Sequence, residues 1–255
     1  MRRRNLTVVT GAHVSRIGFE GTRARSVSYS RNGQDFKVRA GAEIILAAGA
    51  VGSPQILQLS GVGDARYLQS IGIRSVHNAP HVGRHLKDHY GINYIFKSKQ
   101  KTLNDVFGNW PGRMMAGMEY VLRRSGPLSL SVNQLGGLVK SSASLDRPDT
   151  QIYMNPLSYQ TFHKGRRKLM KPDNFSGFVL GFNSCRPKSE GTVSITSSRP
   201  GEAPSIRPNY LDHEDDRDEA LAMARLIERL MATPALTGIL ADEPVTPLDL
   251  SLIHI

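Results

Sequence analysis

Residues 49–63, Gly-Ala-Val-Gly-Ser-Pro-Gln-Ile-Leu-Gln-Leu-Ser-Gly-Val-Gly, place small side chains, a hydroxyl and a proline where an apolar run ends. Such a join can bring bare backbone close to a flat or charged group. The run before it, Glu43 to Ala48, predicts a short strand covered on both faces. Ser53 predicts an N-cap, since its hydroxyl can accept from the free amides of a first helical turn. Pro54 then falls at the first helical position, where its missing N–H costs nothing. Gln55 to Ser60 completes a short helix, and Gly61 is placed to end it. A helix start of this kind favours anions and phosphates. On local spacing alone the join suits tight packing as well as a cofactor, because it is not the Gly-x-Gly-x-x-Gly of a dinucleotide fingerprint.

The histidines offer a second chemistry. His81, His85 and His89 are four apart, which on a helix would share one face and could bind a metal. Pro80 and Gly83 argue against a helix there, and no metal is expected. One cysteine, Cys185, excludes an internal disulfide and a Cys-rich metal site, and reads as a small packed hydrophobe. The balance of 33 basic and 22 acidic residues gives a net charge of +11. Basic proteins attract nucleic acid and anionic membranes. The densest block, Lys164 to Lys171 after Tyr159 and Phe162, reads instead as an exposed, solvated loop at about 156–176, and no nucleic acid is expected.

The elements that must position these residues follow from periodicity. Thr7-Val8-Val9, Val14 to Phe19, Arg25 to Tyr29 and Phe36 to Ala40 are candidate strands, with Asn32-Gly33 as a tight hairpin turn. Asp64 is placed to cap a helix through Ile71, closed by Gly72, and Arg74 to His77 predicts one more strand. Gly91 to Phe96, Gln151 to Met154 and Gly177 to Phe182 predict sheet strands. Met114, Met115, Met118, Val121 and Leu122 lie at helical spacing after Pro111 and predict a core-facing stripe. The clearest helix runs from about His213 to Met231, with Asp215, Asp216, Asp218 and Glu219 near its start. Thr192 to Ile195 predicts a strand before it.

In longer register, Gly-Ala-x-x-Ser-Pro-x-Ile-Leu-x-x-Ser-Gly-Val-Gly resembles the second signature of the glucose–methanol–choline (GMC) family of FAD-dependent alcohol oxidoreductases. Asn5 to Val14 is similar to the family's strand past the adenine half of FAD. Val82-Gly83-Arg84-His85-Leu86-Lys87-Asp88-His89 resembles its Val-Gly-x-Asn-Leu-x-Asp-His turn, with His85 in place of Asn. Gly126-Pro127-Leu128 and Gly136 to Val139 resemble the opening of the substrate domain. Glu190 to Val193 and Pro204 to Leu211 resemble the start of the C-terminal section. The choline dehydrogenase-like branch is the nearest in flavour.

The resemblance implies an α/β fold, part of an FAD-binding domain with a mostly antiparallel α+β substrate domain. The implied divisions are 1–88, 89–188, 189–247 and an unrelated tail at 248–255. It implies oxidation of a small, choline-like alcohol with hydride transfer to FAD, the electron acceptor being open. Val14 would meet adenine through its backbone, Ala48, Gly49 and Ser53 would lie on the flavin side, and Asn133 would face substrate. Asp88 and His89 would shape the crossover between domains. No catalytic residue carries over, since neither the pyrophosphate loop nor the family's catalytic His is found. Both ends therefore read as cut, and the isolated chain is expected to be inactive. A flavin-containing hydroxynitrile lyase and a non-catalytic basic binding protein remain alternatives.

Length and composition fit these expectations. At 255 residues, 39% hydrophobic and 22% charged, the chain can hold a core in one or two globular domains. No run reaches the 18 apolar residues of a membrane span. Leu6 to Val9 is too short for a signal-peptide core, so the default expectation is cytoplasmic.

Overall fold

A computed structural model describes residues 3–131, 133–164, 167–241 and 245. The chain divides into two compact units, residues 1–88 with 189–210, and residues 89–188 with 211–255.

The first unit begins with a three-stranded antiparallel meander: β1 (Ala12–Glu20), β2 (Arg23–Arg31) and β3 (Gln34–Arg39). Asn32 and Gly33, both at positive φ, form the predicted hairpin turn. Helix α1 (Gly49–Leu59) follows, then β4 (Val62–Gly63), α2 (Ala65–Ser70) and β5 (His77–Asn78). Asp64 caps α2 as its spacing predicts, accepting from the amides of Arg66 and Tyr67. Leu59, Leu68, Ile73 and Ile195 form the small core of this unit.

Three expectations fail here. Glu43 to Ala48 is not a strand, and Ile45 is 80% exposed. Among the described residues no neighbouring strand hydrogen-bonds to it, and an extended segment without a ladder is not a strand. Thr7 to Val9 is likewise exposed and unpaired in a sheet. The strand predicted at 74–77 shrinks to the two-residue β5, parallel to β4.

The second unit is built on an antiparallel sheet of order β6-β11-β8-β7. After β6 (Gly91–Lys97) come α3 (Leu103–Phe107), α4 (Trp110–Arg123), β7 (Leu135–Val139) and β8 (Thr150–Asn155). Then a two-stranded hairpin, β9 (Tyr159–Lys164) and β10 (Arg167–Pro172), leads into β11 (Gly177–Ser184). The predicted basic loop is thus mostly hairpin, because Tyr159 to Lys164 and Arg167 to Pro172 pair in register. Gly165 and Arg166 lie outside the described residues.

The Met stripe of α4 is the largest departure. Met115 is 65% and Leu122 80% exposed, and only Ala116 of this helix is buried. Periodicity decides which residues share a face, not what covers it. The main neighbours of α4 within its unit are α3 and the turn at 127–129.

The chain then returns to the first unit with the β12 (Thr192–Ser194) and β13 (Ser205–Arg207) pair. It closes in the second unit with α5 (Glu214–Met231) and α6 (Pro234–Thr237). Met223 and Ile227 of α5 are fully buried against Phe96, Phe178 and Phe182 of the sheet. The residues resembling a single C-terminal section therefore serve both units, parting between Tyr210 and Leu211. The tail at 248–255 lies outside the described residues.

Candidate cofactor site

The turn into α1 starts earlier than the sequence predicts. The helix begins at Gly49, with Ala48 at its N-cap and Pro54 inside it. Ser53 does not cap the amides that follow it. Its hydroxyl accepts from the N–H of Ala48, 3.1 Å away, and ties the helix back to the incoming chain. Gly49 makes this possible with φ +79°, a conformation that strains any L side chain. Pro54 has no N–H to give the Ala50 carbonyl one turn earlier.

The amides of Gly49, Ala50 and Val51 head the helix, where no intrahelical acceptor is available. Ala48, Gly49 and Ala50 are exposed, and a Cβ built on Gly49 would meet nothing within 4 Å. Open space therefore lies against unsatisfied donors at the positive end of a helix dipole. That is the donor set a negatively polarised, flat group requires, and an isoalloxazine or phosphate edge fits it.

Val14 lies on β1, an edge strand of its sheet, so one row of β1 backbone groups has no strand partner there. Directly after it the ladder slips: Val14 pairs with Tyr29 but Arg16 with Ser28, leaving Ser15 as a bulge. Bulges re-aim strands and cluster near sites, and nothing in the sequence signals this one. Further along β1, the amide of Ile17 donates to Ser60 Oγ at 2.8 Å, tying β1 to the end of α1. Ala48 and Ser53 are thus in direct contact, with Gly49 beside them. No hydrogen bond joins Val14 to that turn among the described residues. Asn133 is exposed, just before β7, and belongs to the other unit.

The turn at 82–89 is structural in its geometry. A Cβ on Gly83 would stand 2.1 Å from the Val193 carbonyl oxygen and 2.6 Å from Gln58 Nε2, so only glycine fits. His85 has φ +57°, which explains why Asn suits this position in the family pattern. Its ring hydrogen-bonds to His81, 3.1 Å away, and to Glu190. Lys87 joins Glu190 at 3.3 Å. The His85 hydrogen bond holds the Glu190 carboxyl below its usual range. Asp88 accepts from Tyr210. Residues 81–89 are not helical, and among the described residues no three His, Cys, Asp or Glu side chains converge as a metal cage. No described helix is long and apolar enough to cross a membrane.

Comparison with known proteins matches two segments of the chain. The GMC oxidoreductase N-terminal model matches residues 1–91 and the C-terminal model residues 187–251. The second match runs four residues into the stretch set apart at 248–255. An alcohol dehydrogenase [acceptor] of Pseudomonas putida is 35% identical over 237 residues, 92% of this chain and 42% of that protein. An oxygen-dependent choline dehydrogenase of Stenotrophomonas maltophilia is 35% identical over 234 residues, 92% of this chain and 41% of that protein. The chain thus spans about two fifths of the length of these curated relatives. Among solved structures, a formate oxidase of Aspergillus oryzae superposes with a TM-score of 0.83 at 21% identity, covering 97% of this chain and 48% of that one. Pyridoxine 4-oxidase from Mesorbium loti gives a TM-score of 0.75 at 23% identity, covering 98% and 44%. At these identities the structures show the fold alone. The two family matches establish that this chain belongs to the GMC oxidoreductase family.

Proposed function

We propose that this chain forms part of an FAD-dependent oxidoreductase acting on the CH–OH group of a small, choline-like alcohol. The observation that carries the reading is the α1 turn. An exposed glycine at φ +79° and a run of free helix-start amides lie inside the family's own signature. FAD, when bound, supplies the hydride acceptor. The amides of Gly49 and Ala50 present donors to its polar edge. Ser53 fixes the turn by holding the Ala48 amide. Val14 offers backbone groups on an edge strand to the adenine end. Asn133 is the residue we assign to substrate contact. No described histidine sits in this turn as a general base, and no turnover is expected of the chain alone.

FAD fluorescence titrated against the purified chain tests this. Saturable quenching is expected, and Gly49→Val should abolish it, because the side chain fills the open space and strains the turn. Dye-linked oxidation of choline should be absent. Quenching unchanged in the variant would overturn the site. Stoichiometric bound flavin with alcohol oxidation would overturn the claim that the chain alone is inactive.

A further inference from the structure

A cavity of about 810 Å³ opens in the first unit, between the end of β1, the end of α1 and the segment 72–76. It does not include Val14, Ala48, Gly49 or Ser53. Arg16 and Arg74, both exposed, are among its lining residues, with Thr22, Ser75 and Ser198. Among the described residues neither arginine has a carboxylate partner. Its floor is apolar and buried, formed by Ile17, Leu59 and Ile73.

Both arginine-bearing segments are fixed to the same point. Beside Arg16, the Ile17 amide donates to Ser60 Oγ. Beside Arg74, the amides of Val76 and His77 donate to the Gly61 carbonyl at 2.7 and 3.2 Å. Gly61, at φ +85°, lets the two segments close up, since a Cβ there would stand 2.5 Å from the Arg74 carbonyl oxygen. Three of the last carbonyls of α1 are already engaged. Those of Ile56, Leu57 and Gln58 accept from the Ser60 and Gly61 amides.

From this we infer a binding site for a phosphate monoester with an apolar or aromatic body. Two guanidinium groups match a tetrahedral dianion's oxygens. The hydroxyls supply further donors. The volume exceeds a bare phosphate, and the buried floor accepts the organic part.

Phenyl phosphate titrated into the full chain, followed by amide chemical shifts, tests the site. Saturable shifts at Ile17, Gly61 and Ser75 are expected, with inorganic phosphate competing and phenol not. Arg16→Gln and Arg74→Gln should each weaken binding by roughly tenfold or more, the loss of one charge-assisted contact. Lys171→Gln, a surface change in the other unit, should not. Absence of saturable binding would overturn the site. So would equal weakening by Lys171→Gln, which marks a diffuse charge effect, or displacement of FAD by phenyl phosphate, which marks a single shared site. If the arginine variants only loosen α1, the two cations serve the helix dipole and the site is refuted.

Discussion

Glu219 of α5 is the most consequential polar group in the second unit. Its carboxylate accepts from Thr150 Oγ1 at 2.7 Å, Ser184 Oγ at 2.9 Å and Tyr90 Oη at 3.3 Å. These bonds join α5 to β8, to β11 and to the residue before β6. Thr150 and Ser184 are fully buried, so Glu219→Ala strands the Thr150 hydroxyl away from water and leaves Ser184 only its hydrogen bond with Tyr90. Tyr90 keeps a partner in the Asp216 carbonyl at 2.8 Å. At about 1–3 kcal/mol for the orphaned group and about 1 kcal/mol for the hydrogen bond that Ser184 loses, the change costs about 2–4 kcal/mol. Glu219→Gln keeps the shape and an acceptor, and should cost under about 1 kcal/mol at neutral pH by the same reasoning. Burial raises the Glu219 pKa, outweighing the Thr150 and Ser184 hydrogen bonds that lower it. The folded state then holds the proton more tightly than the unfolded chain. The associated stability is full below the ordinary value of 4.5 and is lost as pH rises through the raised folded value. Glu219→Gln removes that slope. Native-state hydrogen exchange of the Met223 and Ile227 amides reads the opening free energy of α5 directly. An alanine variant within 0.5 kcal/mol of wild type, or a Gln variant with the wild-type slope, would refute the reasoning.

Other consequences can be measured as directly. Gln58 is buried, donating to the Val193 carbonyl at 2.9 Å and accepting from the Ile195 amide at 3.2 Å. Gln58→Leu leaves both backbone groups unpaired and should lose about 2–5 kcal/mol in urea denaturation, with an unchanged midpoint refuting the account. The pKa of Glu190 is lowered by its hydrogen bond to His85, so its contribution is present above the ordinary 4.5 and lost as pH falls through the lower folded value. His85→Asn should keep the left-handed turn and weaken that acid dependence, with Lys87 still beside the carboxyl, read as the NMR titration of Glu190 moving up toward the ordinary range.

The ends of α1 and α2 were legible because capping chemistry is local. Gly61 and Gly72 terminate their helices at positive φ, and Asp64 caps α2 through two amides. The hairpin at Asn32-Gly33 was legible for the same reason. The start of α1 was not. Ser53 next to Pro54 carries every signal of a helix start, yet the glycine four residues earlier lets the helix begin sooner and turns the serine back to Ala48. The bulge at Ser15 left no signal, since it depends on how β1 registers against β2. Nor did the hydroxyl cluster around Glu219, whose members come from positions 90, 150, 184 and 219.

The sequence by itself determined the family, through an ordered set of short motifs, and the turns and caps that those motifs encode. It also determined the helix from about His213 to Met231, whose Met223, Ile227 and Met231 recur at helical spacing and pack against the sheet. Only the tertiary structure decided that Glu43 to Ala48 lacks a strand partner, that the methionines of α4 face outward, and that residues 189–210 and 211–255 serve different units. Periodicity and capping act over a few residues. Burial, ladder pairing and the divergence of one segment between two cores depend on distant chain that no local pattern records.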